Sequence, residues 1–207
     1  MNDIADRLLT ESLAYLRGRG SALVGTFLAS LGSDLPRREV SPRGLPVLQS
    51  LDRATEIAPP KAKALARLLA EDRASLHWGQ TYSANDFGAA FLDRYGWTEL
   101  FGTRGPFASG AIAGGFLLLG PDIDYPDHHH VAEEVYIPLT PGTLWRRGSE
   151  GFVAREAGEV IHHPSGMPHA MRTGAEPLLA LYLWRGGDLA QKSTIIGREH
   201  LEDSKNG

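Results

Sequence analysis

Tyr125-Pro-Asp-His-His-His-Val-Ala-Glu-Glu134-Val-Tyr136 places three consecutive histidines ahead of two acids and a tyrosine. Gly158-Glu-Val-Ile-His-His-Pro164-Ser-Gly166-Met-Pro-His169 follows it with a second histidine cluster. Six of the chain's 8 histidines fall in these two segments. Read as a strand that begins at the histidines, Val131–Leu139 alternates its side chains between two faces. His128, His130, Glu134 and Tyr136 then share one face, with Ala132 leaving room between them. Val131, Val135 and Ile137 cover the other. Two imidazoles, a carboxylate and a phenol suit one divalent ion of borderline or hard character: Zn(II), Fe(II) or Mn(II). Gly166 permits a tight turn and Pro168 forces an extended approach into His169, which can deliver a further ligand from a neighbouring strand.

Outward from these clusters the chain has two characters. From about residue 78 onward, short runs rich in aromatic and β-branched residues alternate with Gly, Pro and Asp turns. They are Trp97–Phe101, Ile112–Leu119, Val131–Leu139, Thr143–Trp145, Phe152–Arg155, Glu159–His163 and Leu178–Trp184. This pattern predicts an antiparallel sandwich or barrel. Before residue 78 the period is helical. Ile4, Leu8, Leu9, Leu13 and Leu16 fall on one helix face, Ala22 to Leu31 continues as a second segment, and Pro59-Pro60 opens a third over Lys61 to Ala70. Pro36, Pro42, Gly44 and Pro46 read as connecting loop. The expected fold is α+β and mainly β, a helical extension over 1–78 and a barrel carrying the metal site over 79–207.

Composition narrows the function. The 207 residues include 42% hydrophobic ones, enough for a real core. With 21 basic and 25 acidic residues the net charge is −4, and no basic patch marks a nucleic-acid partner. The absence of cysteine excludes disulfides, zinc–thiolate sites, iron–sulfur clusters and Cys nucleophiles. No apolar run approaches membrane-spanning length, and the N-terminus lacks a signal layout, so a cytoplasmic protein is expected.

The two histidine segments resemble the paired motifs of the cupin superfamily. The first appears as Gly120…His128-x-His130-x3-Glu134…Gly142, with longer spacers than usual. The second matches at Gly158, Pro164, Gly166 and His169, with Thr173 where Asn is usual. The resemblance implies a single cupin barrel, or jelly roll. More narrowly, Tyr125 through Tyr136, together with Trp184 and the helical extension, resembles the bacterial dimethylsulfoniopropionate (DMSP) lyases of the DddQ type. That resemblance implies metal ligation by His128, His130, Glu134 and His169, with Tyr136 on the metal and Tyr125 facing the substrate. It also implies cleavage of DMSP to dimethyl sulfide and acrylate.

The residues support such chemistry on their own account. Removing a proton α to a carboxylate builds negative charge, which a metal on the carboxylate oxygens stabilises. A neighbouring cation also favours the phenolate of Tyr136 as base. The sulfonium end lacks hydrogen-bond donors and suits aromatic faces. Tyr182 and Trp184 alternate with Ala180 on the last long strand, beside Tyr125, and form a candidate wall. His129, off the register of its neighbours, is assigned to the substrate side, while His162 and His163 flank the ligands. Trp78, Trp97 and Trp145 read as packing, Arg146-Arg147 as a solvated hairpin end, and His77 and His200 receive no role. Tyr136 competes with a purely structural tyrosine, and Trp184 with a core aromatic. A cupin dioxygenase, a sugar isomerase or a non-catalytic small-molecule-binding cupin stays open beside the lyase, as does the oligomeric state.

Overall fold

Ile112–Leu119 has an apolar or small residue at every position, so a strand there must be covered on both faces. A computed structural model, which describes residues 4–196, shows how. Six helices come first: α1 (Ile4–Arg17), α2 (Ala22–Leu28), α3 (Ser50–Ile57), α4 (Pro60–Glu71), α5 (Ala84–Phe87) and α6 (Ala89–Leu92). Eleven strands follow. β1 is Tyr95–Gly102, β2 Phe107–Ala108, β3 Ile112–Leu119, β4 Asp124–His129 and β5 Glu133–Pro138. Then come β6 (Leu144–Arg147), β7 (Val153–Ala154), β8 (Ile161–His163), β9 (His169–Arg172), β10 (Leu178–Arg185) and β11 (Thr194–Ile195). They form a six-stranded sheet in the order β2-β1-β3-β10-β5-β8 and a five-stranded sheet in the order β11-β4-β9-β6-β7. This is the jelly-roll barrel of the cupin fold.

The six-stranded sheet is buried on both sides. Its outer face, with Leu100, Phe116, Leu118, Val135, Ile137, Leu179 and Leu181, packs with Leu8, Phe27, Leu51 and Leu69 of the helices. Its inner face, with Tyr95, Leu117, Leu119, Tyr136 and Ala180, packs with Tyr125, Trp145 and Met171 of the other sheet. The helical extension is thus a third layer on the barrel. Helix starts follow local chemistry: Ser21 caps α2 by accepting from Val24 N, Pro60 stands in the first turn of α4, and Ser83 and Asp86 form a capping box on α5, past the extension.

The strand expected to begin at the histidines is two strands in two sheets. His128 lies on β4 in the five-stranded sheet, one residue before its end, while Glu134 and Tyr136 lie on β5 in the six-stranded one. His130, Val131 and Ala132 form the crossing, fixed where Gly166 N donates to His130 O (2.9 Å). The alternation rule placed these residues together, but the turn between sheets brings them there. A bulge between Tyr125 and His128 aims both rings inward, stacked with centroids 4.3 Å apart. Helices α3, α5 and α6, strands β4 and β9 and the short β2 and β11 were not foreseen. Arg146 and Arg147 are not a solvated end. Arg146 pairs with Asp127, and Arg147 Nε donates to His162 O (2.9 Å). His200 lies outside the described residues.

Candidate metal centre and adjoining cavity

Strand register sets the site out in rows across the inner face of the six-stranded sheet. Ala113, Trp184, Glu134 and His163 are successive neighbours in one row. The adjacent row runs Glu99, Gly115, Tyr182, Tyr136 and Ile161. The five-stranded sheet faces them with His128 and His169, which are direct partners.

The ligating atoms of His130, Glu134 and His169 all lie within 4.8 Å of one another. Each side chain is buried, Glu134 completely. His130 Nε2 is 3.0 Å and His169 Nε2 3.2 Å from Glu134 Oε2. The far nitrogen of each ring is anchored close by in sequence. His130 Nδ1 donates to Ala132 O (2.8 Å), His169 Nδ1 to Met167 O (2.9 Å) and His128 Nδ1 to Pro126 O (2.9 Å). A carbonyl only accepts, so each Nδ1 carries a hydrogen and each Nε2 is the atom left for the centre, where His130 Nε2 donates to Glu134 Oε2. Trp184 Nε1 donates to Glu134 Oε1, and the indole lies against His130 with ring centroids 4.1 Å apart.

This donor set fits a divalent ion. His169 Nε2 and both ring nitrogens of His163 are buried without a hydrogen-bond partner, a costly arrangement for a site meant to contain protein alone. Burial disfavours charge on Glu134, yet His130, His163 and His169 hold its pKa well below the ordinary carboxylate value. Burial also opposes charge on His130, but the Glu134 carboxylate outweighs it and raises that pKa. His128 moves the other way, held low by burial and by His169.

The expected residues therefore separate. His130, Glu134 and His169 converge. His128 stands outside that triplet, its ring centroid 4.1 Å from His169 and 6.3 Å from His130. Tyr136 lies next to Glu134 along the strand, buried, its ring centroid 5.9 Å from His163. Burial and the charge of Glu134 push its pKa well above the ordinary phenol value. Tyr125 bonds through its hydroxyl to Tyr82 (2.9 Å). His129 is paired with Thr194 and does not line the cavity, because alternation along β4 turns it away from His128. His163, read as a flanking residue, is 1% exposed, stacked on His169 at 4.0 Å, and has Nδ1 3.7 Å from Glu134 Oε2. Burial holds its pKa down to about 4.

A cavity of about 60 Å³ opens beside this centre, lined by Tyr125, Tyr136, Tyr182, Trp184, Trp97 and Glu99 among others. By that measure it has room for roughly four to six waters, the scale of a small organic acid. Trp97 belongs to this wall, donating from Nε1 to Thr81 Oγ1 (3.0 Å), although its sequence context suggested packing alone. Glu99, Thr81 and the crossing residues Leu189, Gln191 and Ser193 were missed. The alternation of Trp97 and Glu99 with buried neighbours along β1 was the available signal.

A family model described as dimethylsulfoniopropionate lyase matches residues 20–180. The chain belongs to the DMSP lyase family. It is 34% identical over 186 residues to DMSP lyase DddQ of Ruegeria pomeroyi, covering 89% of this chain and 90% of that protein. The crystal structure of DddQ from Ruegeria pomeroyi DSS-3 superposes with a TM-score of 0.85 at 31% identity, over 96% of this chain and 99% of that one. A chain from crystal structures of the DMSP lyases RdDddP and RnDddQII gives a TM-score of 0.81 at 30% identity, over 92% and 98%. Proteins of this family name are carbon–sulfur lyases. Among the described residues no helix is long and apolar enough to cross a membrane.

Proposed function

We propose that the protein is a metal-dependent lyase that cleaves DMSP to dimethyl sulfide and acrylate by base-initiated β-elimination. The observation that carries this reading is the convergence of His130, Glu134 and His169 beside Tyr136, at one end of a small aromatic cavity. His130, Glu134 and His169 would hold the ion, with His128 and Tyr136 within reach of the same centre. When bound, a divalent ion there supplies Lewis-acid stabilisation of negative charge developing on the substrate carboxylate. Its identity among Zn(II), Fe(II) and Mn(II) is left open by a donor set of imidazoles and carboxylate.

The chain's own residues supply the rest. Tyr136 Oη takes the proton from the carbon α to the carboxylate. The released electron pair forms the carbon–carbon double bond, the carbon–sulfur bond breaks, and its electrons leave on neutral dimethyl sulfide. The proton held at Tyr136 Oη then passes to solvent, so that DMSP yields dimethyl sulfide, acrylate and one proton. Tyr136 must be a phenolate to act, and burial together with Glu134 opposes this, so its basicity depends on a cation at the centre. Trp184 holds Glu134 through Nε1 and, with Tyr182, presents aromatic surface to the onium end. Tyr125, tied to Tyr82 and stacked on His128, closes the opposite wall.

We place this activity in the cytoplasm, with DMSP as small-molecule substrate and no nucleic-acid or membrane partner, the last in keeping with the net charge of −4 and the lack of a basic patch in the sequence. The deciding measurement is headspace dimethyl sulfide from purified protein given DMSP, with and without a chelator. Release that the chelator abolishes and added metal restores is expected, and no release from metal-loaded protein refutes the reading.

A further inference from the structure

The row that holds Tyr136 ends in a carboxylate that the proposed elimination does not use. Glu99 lies three strands away along Glu99, Gly115, Tyr182 and Tyr136, on the same inner face. It is 6% exposed and lines the cavity. Two features aim it there. A β-bulge between Glu99 and Phe101 displaces the strand locally, and bulges next to active sites commonly redirect a side chain. Gly115 permits the close approach of β1, since a Cβ there would meet Thr98 O at 2.0 Å.

The carboxylate is only half engaged. Oε1 accepts from the backbone N–H groups of Arg104 (2.5 Å) and Gly105 (2.7 Å), whereas Oε2 has no hydrogen bond or ion pair among the described residues. Of the cations that act on it, Arg38 is exposed and directed elsewhere, whereas Arg104, also exposed, borders the same cavity without pairing with Oε2. Arg104 donates to Ala190 O (2.6 Å) and lies over Trp97, and Arg38 donates to Thr103 O (2.6 Å). Burial accordingly pushes the Glu99 pKa up, against the two backbone N–H groups and these arginines. Oε2 is unpartnered but not sealed off, and so is available to a counter-charge in the cavity. Tyr182 stands between the two ends in the row. Trp97 and Tyr182 supply aromatic faces beside Glu99.

We propose that Glu99 is the counter-charge for an onium head group, so that the cavity selects compact carboxylic acids bearing a sulfonium or quaternary ammonium at the far end. The inference rests on carboxylate capture at the His130, Glu134 and His169 end, as proposed above. The arrangement is a dipolar slot. Its metal end takes the anion, Glu99 takes the cation, and the aromatic rings between them exclude water, which strengthens both attractions. An uncharged thioether or a branched aliphatic acid of the same shape gains nothing from Glu99 and leaves it unpaired.

The test uses metal-loaded protein and calorimetric binding of two ligands of matched shape. One is 3-(trimethylammonio)propanoate, an onium carboxylate, and the other is 4,4-dimethylpentanoate, its neutral carbon isostere. Wild-type protein should bind the onium ligand more tightly, and equal affinities overturn the inference without any variant. Glu99→Gln retains an oxygen for the Arg104 and Gly105 N–H groups. It should weaken the onium ligand about tenfold, or about 1.4 kcal/mol, and leave 4,4-dimethylpentanoate unchanged. Equal losses for both ligands, or no loss for either, would make Glu99 a support for the 103–105 turn alone and overturn the proposal. Intact discrimination in a protein that releases no dimethyl sulfide would refute the lyase reading and support the onium slot. DMSP turnover without discrimination would do the reverse.

Discussion

Trp184→Phe removes one N–H group while keeping an aromatic ring against His130, and so isolates what Trp184 does for Glu134. Nε1 donates to Oε1 of a carboxylate that is 0% exposed, while Oε2 faces His130 and His169. A hydrogen bond to a charged group contributes about 1.5–3 kcal/mol. Loss of a hydrogen-bond partner behind a metal ligand typically lowers metal affinity about 10–100-fold, which is about 1.4–2.8 kcal/mol. The two ranges agree, so Trp184→Phe should weaken the dissociation constant for Zn(II) or Mn(II) by about 10–100-fold, read by competition with a chromophoric chelator. The far-UV circular dichroism should not change, because β10 keeps its other buried neighbours. In a Glu134→Gln background the same substitution should cost much less, since the charge that strengthens the bond has gone. Wild-type affinity in Trp184→Phe would refute the orienting role. An equal loss in both backgrounds would assign the effect to ring packing.

Tyr136→Phe should lower kcat by about 10²–10⁴-fold with little change in KM, and an unaltered kcat in stopped-flow or headspace assays would remove Tyr136 as base. His130→Ala should strip the ion and abolish turnover in a folded barrel, and elemental analysis showing full occupancy would refute the ligand assignment. Lys192 and the Ser83 N–H hold Asp86 at about 2 instead of 3.8. Because this folded value is depressed, its contribution to stability is complete above the unfolded value and is lost as pH falls from about 4 to about 2. Lys192→Ala should move the Asp86 carboxyl titration, followed by NMR, upward toward 3.8, and an unmoved titration would discount the pairing.

Much of the fold was legible because its signals are local. Ile112–Leu119 is the strand the sequence predicts, to the residue, since a continuous apolar run bounded by turns leaves little choice. Helices α1 and α4 follow their leucine spacing. The failures were β4 and β9. Asp124–His129 carries Pro126 and two acids and has none of the composition of a strand. It pairs because β9 and β11 flank it and because the bulge at Pro126-Asp127 turns Tyr125 and His128 the same way, a tertiary effect overriding propensity.

The same distinction divides the site. Each anchored imidazole finds its carbonyl two residues away: Pro126 for His128, Ala132 for His130 and Met167 for His169. Pro168 forces Met167 into an extended conformation, which helps fix where its carbonyl points. Such geometry is written into spacing, so His130, Glu134 and His169 could be read directly. Glu99, Trp97 and His163 enter by register instead. Glu99 reaches the row of Tyr136 only after β3 and β10 are inserted between β1 and β5, and His163 reaches Glu134 only when β8 closes the sheet edge. No separation in sequence encodes those juxtapositions. The metal end of the cavity is therefore a motif, whereas the end that chooses the ligand is a property of the sheet. Two chains sharing the histidine pattern can differ in substrate through β1 alone.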